Sequence, residues 1–376
     1  MPVYLDCNAT TPIEPRVWAD VAHYCLEEYG NAGSRTHEFG ARAKQAVERA
    51  RSAVAAVVDA ERDEVIFTSG ATESNNLAIL GLARYGEQTG RKHLVSTMIE
   101  HKAVLEPLAA LQKHGFKVTL VPPTSGGWVD PDLIRKALRP DTLLVSVMHV
   151  NNETGVLQKI PEICSVLRDH TCYFHVDAAQ GFGKDFASLQ EKRIDFISIS
   201  GHKLYAPKGI GALVCRRREF QRPPLEPLCY GGGQERGLRP GTLPVPLIVG
   251  LGRAAELAAS ESSSWMNICR TFRKKAIAEL SQLNPEFNGD EDRTMPHVVN
   301  LSIPGLDSEA IMVALKGILA VSNGSACTSA SYQPSHVLEA MGLSAERIRG
   351  AIRLSWCHLT PDVDWKEVVR VIKALY

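Results

Sequence analysis

Seven short apolar runs between residues 64 and 215 constrain the fold of this chain more than any other feature. They are rich in Val, Ile, Leu and Phe and mostly lack apolar–polar alternation, which is typical of strands buried on both faces. Helical stretches separate the runs, and this order indicates βαβ units in a mostly parallel sheet. The runs cover residues 64–68, 93–97, 117–121, 142–148, 173–177, 195–200 and 211–215.

The clearest helical pattern lies at residues 40–58, where apolar residues recur at the spacing of one helix face. After about residue 257 the pattern of predicted strands and helices changes. A helix at 265–283 is followed by strand-like segments at 298–303 and 352–356 and by a last helix at 363–375. This mixture predicts a second unit of the α+β type.

The length of 376 residues also suits a large domain with a smaller one beside it. We predict an α/β fold in which residues 14–256 form the large domain, with a mostly parallel seven-stranded sheet flanked by helices. Residues 1–13 and 257–376 are expected to form the smaller α+β domain.

Composition and charge exclude several classes of protein. Hydrophobic residues make up 44% of the chain and charged residues 22%, as in ordinary globular proteins. Lys plus Arg and Asp plus Glu both number 42, so no net charge favours direct binding to nucleic acid or to a membrane. The opening MPVYLDCNAT lacks the features of a signal peptide, and a cytoplasmic location is expected.

The nine cysteines do not form a recognisable framework. Their number is odd, their spacings are scattered, and no Cys-x-x-Cys pair occurs. This argues against a set of disulfides and against a zinc ribbon, so no metal site is expected. Most of these cysteines are expected to be small buried hydrophobic residues.

The first apolar run is followed by small and hydroxyl-bearing residues, Ser69-Gly70-Ala71-Thr72, that open a helical pattern. A helix N-terminus presents free backbone N–H groups and a positive dipole end, and it therefore binds phosphate well. An ordinary capped turn between a strand and a helix has the same local sequence. This segment by itself leaves both interpretations open.

Four later runs also lead into polar residues at the same edge of the predicted sheet, where open parallel sheets bind ligands. His101, Asn152, Asp177 and Lys203 each lie at or just after the end of a different run. A lysine can form a Schiff base with an aldehyde, and a carboxylate can pair with a pyridinium nitrogen. The combination predicts a site for pyridoxal phosphate, with Lys203 as the Schiff-base lysine and Lys208 as its rival.

Eight stretches, in one order along nearly the whole chain, carry a family resemblance. The chain resembles the cysteine desulfurases, which are fold-type I, class V pyridoxal-phosphate enzymes. Several of the matching motifs are long and specific. They are YLDCNATTP, FTSGATESNNLAI, EHKAVLEPL, HVNNETGV, HVDAAQ, SISGHKLYAPKGIGAL, GGGQERGLRPGT and NGSACTSAS.

The resemblance implies a role for each matched position around the cofactor. Lys203 carries pyridoxal phosphate as a Schiff base, Asp177 pairs with the pyridinium nitrogen, and Gln180 bonds the phenolic oxygen. His101 stacks on the ring and moves protons. The residues expected to hold the phosphate are Ala71, Thr72, Ser200 and His202.

The resemblance also implies shared sites and a substrate. Thr242 is expected to reach the phosphate of a neighbouring subunit, which implies a homodimer. Asn152, which also contacts the cofactor, and Arg353 are expected to hold the carboxylate of L-cysteine, Arg353 through two parallel hydrogen bonds. Asn31 is a third expected substrate-side residue, although Asn31-Ala32-Gly33-Ser34 departs from the usual Asn-Pro-Ala/Ser-Ser.

Cys327 lies among small residues in NGSACTSAS, which suits a loop that carries a thiol into a site and away again. The resemblance implies that its thiolate attacks the substrate sulfur, so that the products are alanine and a persulfide on Cys327. A sulfur-acceptor protein would then receive the sulfur. Cys7 stands where many relatives carry another residue; it is expected to serve packing, with a second reactive thiol as the alternative.

The sequence does not name the sulfur acceptor. The stretches GNAGSR, GGGQERGLRPGTLPVPLI and SACTSASYQPSHVL resemble desulfurases that supply sulfur for DNA phosphorothioate modification. Iron–sulfur cluster assembly, tRNA thiolation and selenocysteine lyase activity stay open as alternatives. A class V aminotransferase has no use for a thiol on a mobile loop, and the intact Lys203, Asp177 and Cys327 argue against a non-catalytic scaffold.

Substitution of Cys327 and of Lys203 separates their two expected roles. Cys327→Ala should abolish alanine release from cysteine but keep the absorbance of the bound cofactor, because only the attacking thiol is lost. Lys203→Ala should lose that absorbance. Undiminished alanine release from Cys327→Ala would contradict the role of the thiol.

Overall fold

A computed structural model describes residues 1–323 and 334–376. Its largest element is a seven-stranded sheet with the strand order β2-β8-β7-β6-β5-β3-β4. In chain order the described strands are β1 (Val3–Tyr4), β2 (Val65–Thr68), β3 (His93–Thr97), β4 (Lys117–Val121), β5 (Thr142–Met148), β6 (Tyr173–Asp177), β7 (Phe196–Ser200), β8 (Gly211–Cys215), β9 (Glu286–Phe287), β10 (Val298–Ser302), β11 (Leu319–Ala320) and β12 (Ala351–Ser355).

The predicted mostly parallel sheet is confirmed. Neighbouring strands from β4 to β7 pair in parallel, and β8 runs antiparallel to both β7 and β2. Five of the seven apolar runs match their strands residue for residue, whereas β2 and β7 each begin one residue later than expected. Every residue of six of these strands is buried, and only the edge strand β4 has exposed positions.

Helices cover both faces of this sheet. The described α-helices are α1 (Pro15–Leu26), α2 (Glu38–Val57), α3 (Ala71–Leu80), α4 (Ala83–Thr89), α5 (Lys102–Lys113), α6 (Pro131–Ala137), α7 (Ile160–Val166), α8 (Val245–Leu280), α9 (Ser308–Ala314), α10 (His336–Ala340), α11 (Ala345–Arg349) and α12 (Trp365–Lys373). None of these helices is long and apolar enough to cross a membrane.

Helices α2 and α8 pack closely on each other. The apolar stripe predicted at residues 40–58 is the buried face of α2. Gly252 of α8 lies so near this face that an added Cβ atom would stand 2.5 Å from the Cβ of Ala50. The absence of a side chain at Gly252 therefore allows the two helices to approach.

Two small sheets complete the described structure. Strands β9, β10 and β12 form an antiparallel sheet, and β1 pairs in parallel with β11. The expected boundary at residue 256 falls inside α8, a continuous helix of 36 residues. The division into residues 14–256 and a smaller unit therefore stays a prediction, and α8 would run through both parts.

A buried ion pair holds the loop that precedes Thr242. The carboxylate of Glu235 accepts hydrogen bonds from both terminal nitrogens of Arg51, at 2.6 and 2.8 Å, and from the backbone N–H of Phe67 at 2.7 Å. Glu235 and Arg236 both have left-handed backbone angles, with φ of 46° and 59°. Such strained residues persist only where surrounding contacts fix them, as the Glu235 carboxylate does here.

Candidate active site

A cavity of about 390 Å³ lies beyond the carboxyl ends of the parallel strands. Ten of the expected site residues line it, although they come from segments far apart along the chain. They are Ala71, Thr72, His101, Asn152, Asp177, Gln180, Ser200, His202, Lys203 and Arg353. This convergence agrees with the expectation that strand ends in a parallel sheet bring their polar residues together.

Lys203 enters the cavity from a 3₁₀ turn, Gly201–Lys203, directly after β7. Its ammonium donates a hydrogen bond to the carbonyl of Ala9 at 2.7 Å and another to the carbonyl of Asn8. Lys208, the rival lysine, also lines the cavity. The two backbone carbonyls fix the position of the Lys203 amine beside the polar strand ends.

Asp177, the last residue of β6, is held at both carboxylate oxygens. Oδ2 accepts a hydrogen bond from the side-chain amide of Asn75 at 2.7 Å, and Oδ1 accepts one from the backbone N–H of Ala179 at 3.0 Å. The sequence analysis missed Asn75. Its spacing from Ala71, four residues along α3, places it on the same helix face and is the signal that could have found it.

The start of α3 forms the side of the cavity where phosphate binding is expected. Gly70 precedes the helix with φ of 153° and ψ of −179°, a conformation open essentially only to glycine. Gly211 of β8 lies against it, since a Cβ at Gly211 would stand 2.6 Å from the Cα of Gly70. The first turn of α3, from Ala71 onwards, lines the cavity, and its first backbone N–H groups have no acceptor within the helix.

Ser200 and His202 line the same cavity, and Ser200 Oγ would be 3.9 Å from a Cβ atom at Gly70, beside the start of α3. His202 Nδ1 is 3.1 Å from the hydroxyl of Thr10, and its backbone carbonyl accepts hydrogen bonds from Thr11. Burial lowers the pKa of His202 to about 4, and the nearby Lys203 adds to this effect. The ring is therefore neutral near pH 7 and can serve as a hydrogen-bond donor or acceptor rather than as a cation.

His101 caps the N-terminus of α5. Its Nδ1 accepts a hydrogen bond from the backbone N–H of Ala103 at 3.1 Å, so any proton on the neutral ring sits at Nε2. Desolvation lowers the pKa of His101; Lys203 lowers it further, while Asp177 opposes the shift. A neutral ring with a defined tautomer suits stacking on a flat cofactor.

Arg353, on β12, is the buried cation of the cavity, and only 2% of its surface is exposed. Its NH1 donates to the carbonyl of Asn152 at 2.9 Å, and its NH2 donates to the carboxylate of Asp6 at 2.6 Å. The side chain of Asn8 also donates to the Asn152 carbonyl, at 3.1 Å. Sequence reasoning missed Asp6, which already provides one carboxylate partner for Arg353.

Two of the expected positions within the described residues do not line this cavity. Asn31 and Thr242 lie in exposed loops, and the Asn31 side chain accepts a hydrogen bond from the backbone of Gly33 at 2.8 Å. Cys327 lies outside the described residues. The roles of all three therefore stay predictions.

Two other histidines near the strand ends stabilise the scaffold. His175 is buried inside β6, with its ring nitrogens 2.8 Å from Ser146 Oγ and 2.9 Å from Ser198 Oγ. Nε2 of His149 lies 2.9 Å from Asp185. Neither ring lines the cavity, so a polar residue at a strand end was not by itself a sufficient sign of a ligand contact.

The cavity contains the partners that pyridoxal phosphate requires. An amine, a buried carboxylate and a helix N-terminus surround one space of suitable size. Three side-chain oxygens on its lining residues are also buried, with no hydrogen-bond partner among residues 1–323 and 334–376: Asn8 Oδ1, Asn75 Oδ1 and Gln180 Oε1. Because such groups are costly to bury unpaired, a polar ligand that reaches them fits this site.

A mostly parallel seven-stranded sheet that carries a lysine amine, a buried carboxylate and a helix N-terminus at its strand ends defines a class of pyridoxal-phosphate enzymes. A profile of the family described as aminotransferase class-V matches residues 3–368. The cysteine desulfurase IscS of Methylococcus capsulatus is 46% identical over 374 residues, covering 99% of this chain and 92% of that protein.

Two solved structures are similar over almost the whole chain. DndA from Streptomyces lividans is 52% identical, with a TM-score of 0.83 over 94% of this chain and 98% of its own. A NifS-like protein is 35% identical, with a TM-score of 0.91 over 100% and 99% of the two chains. The chain therefore belongs to the class-V aminotransferase family, among its cysteine desulfurases, and its cofactor is pyridoxal phosphate.

Glu100, which precedes His101, is fully buried behind the cavity-lining residue Met148. Its Oε1 accepts hydrogen bonds from the hydroxyl of Thr97 at 2.7 Å and the backbone N–H of Met148 at 2.8 Å. Its Oε2 has no partner among the described residues. Burial raises the pKa of Glu100 from 4.5 to about 8, and the negative charge of Asp177 adds to the shift.

This pKa shift predicts a pH-dependent loss of stability. The contribution of Glu100 is fully present below pH 4.5 and is lost as the pH rises toward about 8, because the folded protein holds a proton that the unfolded chain has released. Between those limits the free energy of unfolding should fall by up to roughly 5 kcal/mol.

The side chain at position 100 cannot ionise in the isosteric Glu100→Gln variant. This variant should therefore lack the part of the pH-dependent decrease in unfolding free energy that Glu100 causes. Urea unfolding of both proteins at several pH values measures the difference between them. Glu106→Gln, on the exposed face of α5, is the matched control and should follow the wild-type pH dependence. If the free energy of unfolding varied with pH in the same way for wild type and Glu100→Gln, Glu100 would be ionised in the folded state over this pH range, which would contradict the prediction.

Proposed function

We propose that the chain is a pyridoxal-phosphate-dependent cysteine desulfurase that converts L-cysteine to L-alanine and leaves a persulfide on Cys327. The observation that carries this proposal is the single cavity in which Lys203, Asp177 and the start of α3 converge. Similarity to cysteine desulfurases over 99% of the chain supports the choice of this reaction over others of the class-V family.

The cofactor, once bound, supplies an electron sink that allows the α-proton of the substrate to be removed and its Cβ–S bond to be weakened. Lys203 would hold its aldehyde carbon, Asp177 its ring nitrogen, and Gln180 its phenolic oxygen. Ala71, Thr72, Ser200 and His202 would hold the phosphate. Each of these positions lines the cavity, which supports the assignment.

Lys203 is the proposed base for the α-proton. Its Nζ needs to be free of the cofactor at that step, and the carbonyls of Asn8 and Ala9 then offer it two hydrogen-bond acceptors. This arrangement would keep the amine within the cavity rather than in solvent, so that the proton can move over a short path.

Arg353 is the proposed anchor for the substrate carboxylate. Its NH1 and NH2 each use one N–H in the contacts with Asn152 and Asp6, and each nitrogen has a second N–H for the substrate. Burial of the guanidinium strengthens such a charge-assisted pair. Asn31 and Asn152 are proposed as further substrate-side residues on the family resemblance.

Cys327 is the proposed sulfur acceptor within the enzyme. Its thiolate would attack the substrate sulfur, so that the S–S bond of the persulfide forms as the bond from sulfur to Cβ breaks. A proton then completes the methyl group of alanine. Selenocysteine lyase activity is the alternative reaction at the same site, and relative rates with the two amino acids separate them.

For the onward step we propose a sulfur-acceptor protein in DNA phosphorothioate modification. Three stretches of the sequence resemble desulfurases of that pathway, and identity with DndA, 52%, exceeds identity with IscS, 46%. Supply of sulfur for iron–sulfur clusters or tRNA thiolation is the alternative. A cytoplasmic location and a homodimer belong to the same proposal.

L-Cysteine with a radiolabel on its sulfur atom tests both the reaction and the identity of the sulfur acceptor. The label should appear on Cys327 of the purified enzyme, be lost on reduction, and be absent from Cys327→Ala, while Cys25→Ala behaves as wild type. In a cell extract the label should then pass to a DNA-modification protein. Transfer to an iron–sulfur scaffold would instead favour the alternative pathway, and no label on Cys327 would contradict the reaction.

Mixed dimers test the proposed contribution of Thr242 to the neighbouring site. Lys203→Ala and Thr242→Ala chains should each bind cofactor poorly alone. A heterodimer of the two contains one site with both residues intact if Thr242 crosses the interface, so mixing should restore cofactor absorbance to about one of every two sites. No restoration on verified heterodimers would show that Thr242 serves its own subunit.

A further inference from the structure

A second cavity, of about 330 Å³, lies next to the active site and shares no lining residue with it. Two cysteines, Cys7 and Cys357, line this cavity, and the threonine Thr360 lies with them. Neither cysteine has a part in the desulfurase mechanism. Their only exposed surface, 2% for Cys7 and 3% for Cys357, is small enough that only a small molecule could reach them.

Both side chains line the same cavity, and each lies close enough to shift the pKa of the other. The backbone N–H group of each cysteine is held by a hydrogen bond. The N–H of Cys7 donates to the carbonyl of Ser355 at 3.0 Å, and the N–H of Cys357 donates to the hydroxyl of Thr360 at 2.9 Å. The pair therefore joins the N-terminal segment to the end of β12, which are 350 residues apart in sequence.

The surroundings distinguish the two sulfurs chemically. Hydrogen bonds from Cys7 and Thr360, together with the buried ammonium of Lys184, lower the pKa of the Cys357 thiol against the effect of burial. The same contact with Cys357, and burial, raise the pKa of Cys7. Cys357 is thus the sulfur that carries thiolate character, and Cys7 is the one that keeps its proton.

We propose that Cys7 and Cys357 form an oxidation site, at which a hydroperoxide converts these two neighbouring buried thiols into a disulfide. The Cys357 thiolate attacks one peroxide oxygen; an S–O bond forms, the O–O bond breaks, and hydroxide or an alkoxide leaves. Cys7 then attacks the resulting sulfenic acid; the S–S bond forms, the S–O bond breaks, and water leaves with the Cys7 proton.

The proposed site is connected to the active site through the N-terminal segment. Cys7 lies between Asp6, which binds Arg353, and Asn8, whose carbonyl binds Lys203 and Gln180. A disulfide holds its sulfurs at about 2.05 Å, much closer than two thiols in van der Waals contact. Oxidation would therefore shift this segment, although the inference itself does not depend on the proposed desulfurase activity.

Peptide mapping of the peroxide-treated holoenzyme tests the proposal. A Cys327→Ala background removes the catalytic thiol, and cofactor absorbance verifies the fold. Trypsin releases Cys7 in residues 1–16 and Cys357 in residues 354–366, each as the only cysteine of its peptide. Under non-reducing conditions the two peptides should be found linked in most chains, and a thiol reductant should separate them.

Three variants in the same background report the order of the steps. Cys7→Ala should accumulate a Cys357 sulfenic acid, which a cyclic 1,3-dione captures. Cys357→Ala should leave Cys7 unmodified, because burial, which this substitution leaves in place, by itself raises the pKa of Cys7. Cys25→Ala, which removes an exposed cysteine, should form the Cys7–Cys357 link as before.

Other products would overturn the proposal. Oxidation confined to the exposed Cys25 and Cys229, with both buried peptides free, would show that peroxide does not reach the pair. Sulfinic acid on Cys357 with Cys7 still reduced would show that the two sulfurs cannot close a disulfide. Either result would leave the desulfurase proposal intact, so the failures of the two proposals are distinguishable.

Discussion

The hydrogen bonds from Lys203 to the carbonyls of Asn8 and Ala9 are the interaction on which the arrangement of the active site depends. They join the turn after β7 to the N-terminal segment, which lies 194 to 195 residues earlier in the sequence. Gln180 donates to the same Asn8 carbonyl, and the Asn8 side chain donates to Asn152. One short segment thereby fixes groups from three strand ends relative to one another.

The same segment continues into two further contacts. Asp6 pairs with Arg353 on β12, and Cys7 lines one cavity with Cys357, which lies just beyond that strand. Strand β12 belongs to the three-stranded sheet, whereas β5 to β7 belong to the seven-stranded sheet. The N-terminal segment therefore connects residues of two different sheets at the cavity. A change of position at Cys7 is therefore expected to reach both the lysine and the arginine of the site.

The large sheet was predictable because its strands are buried on both faces and therefore appear as continuous apolar runs. The exact ends of the strands were harder to predict. Strands β2 and β7 each begin one residue later than the apolar–polar boundary in the sequence indicated. The two-residue strands β1, β9 and β11 escaped notice, because so short an element has no periodicity to detect. The unbroken course of α8 was also missed, as its first part was assigned to the large domain and its second part to the small one.

The sequence alone determined the parallel sheet and the cluster of Lys203, Asp177 and the α3 N-terminus, because parallel strands bring their carboxyl ends to one edge. Only the tertiary structure decided that Asn75 orients Asp177, that Asp6 binds Arg353, and that Cys7 shares a cavity with Cys357. The partners in these pairs are 102, 347 and 350 residues apart. Contacts at such separations depend on how whole layers pack, and no local pattern in the chain encodes them.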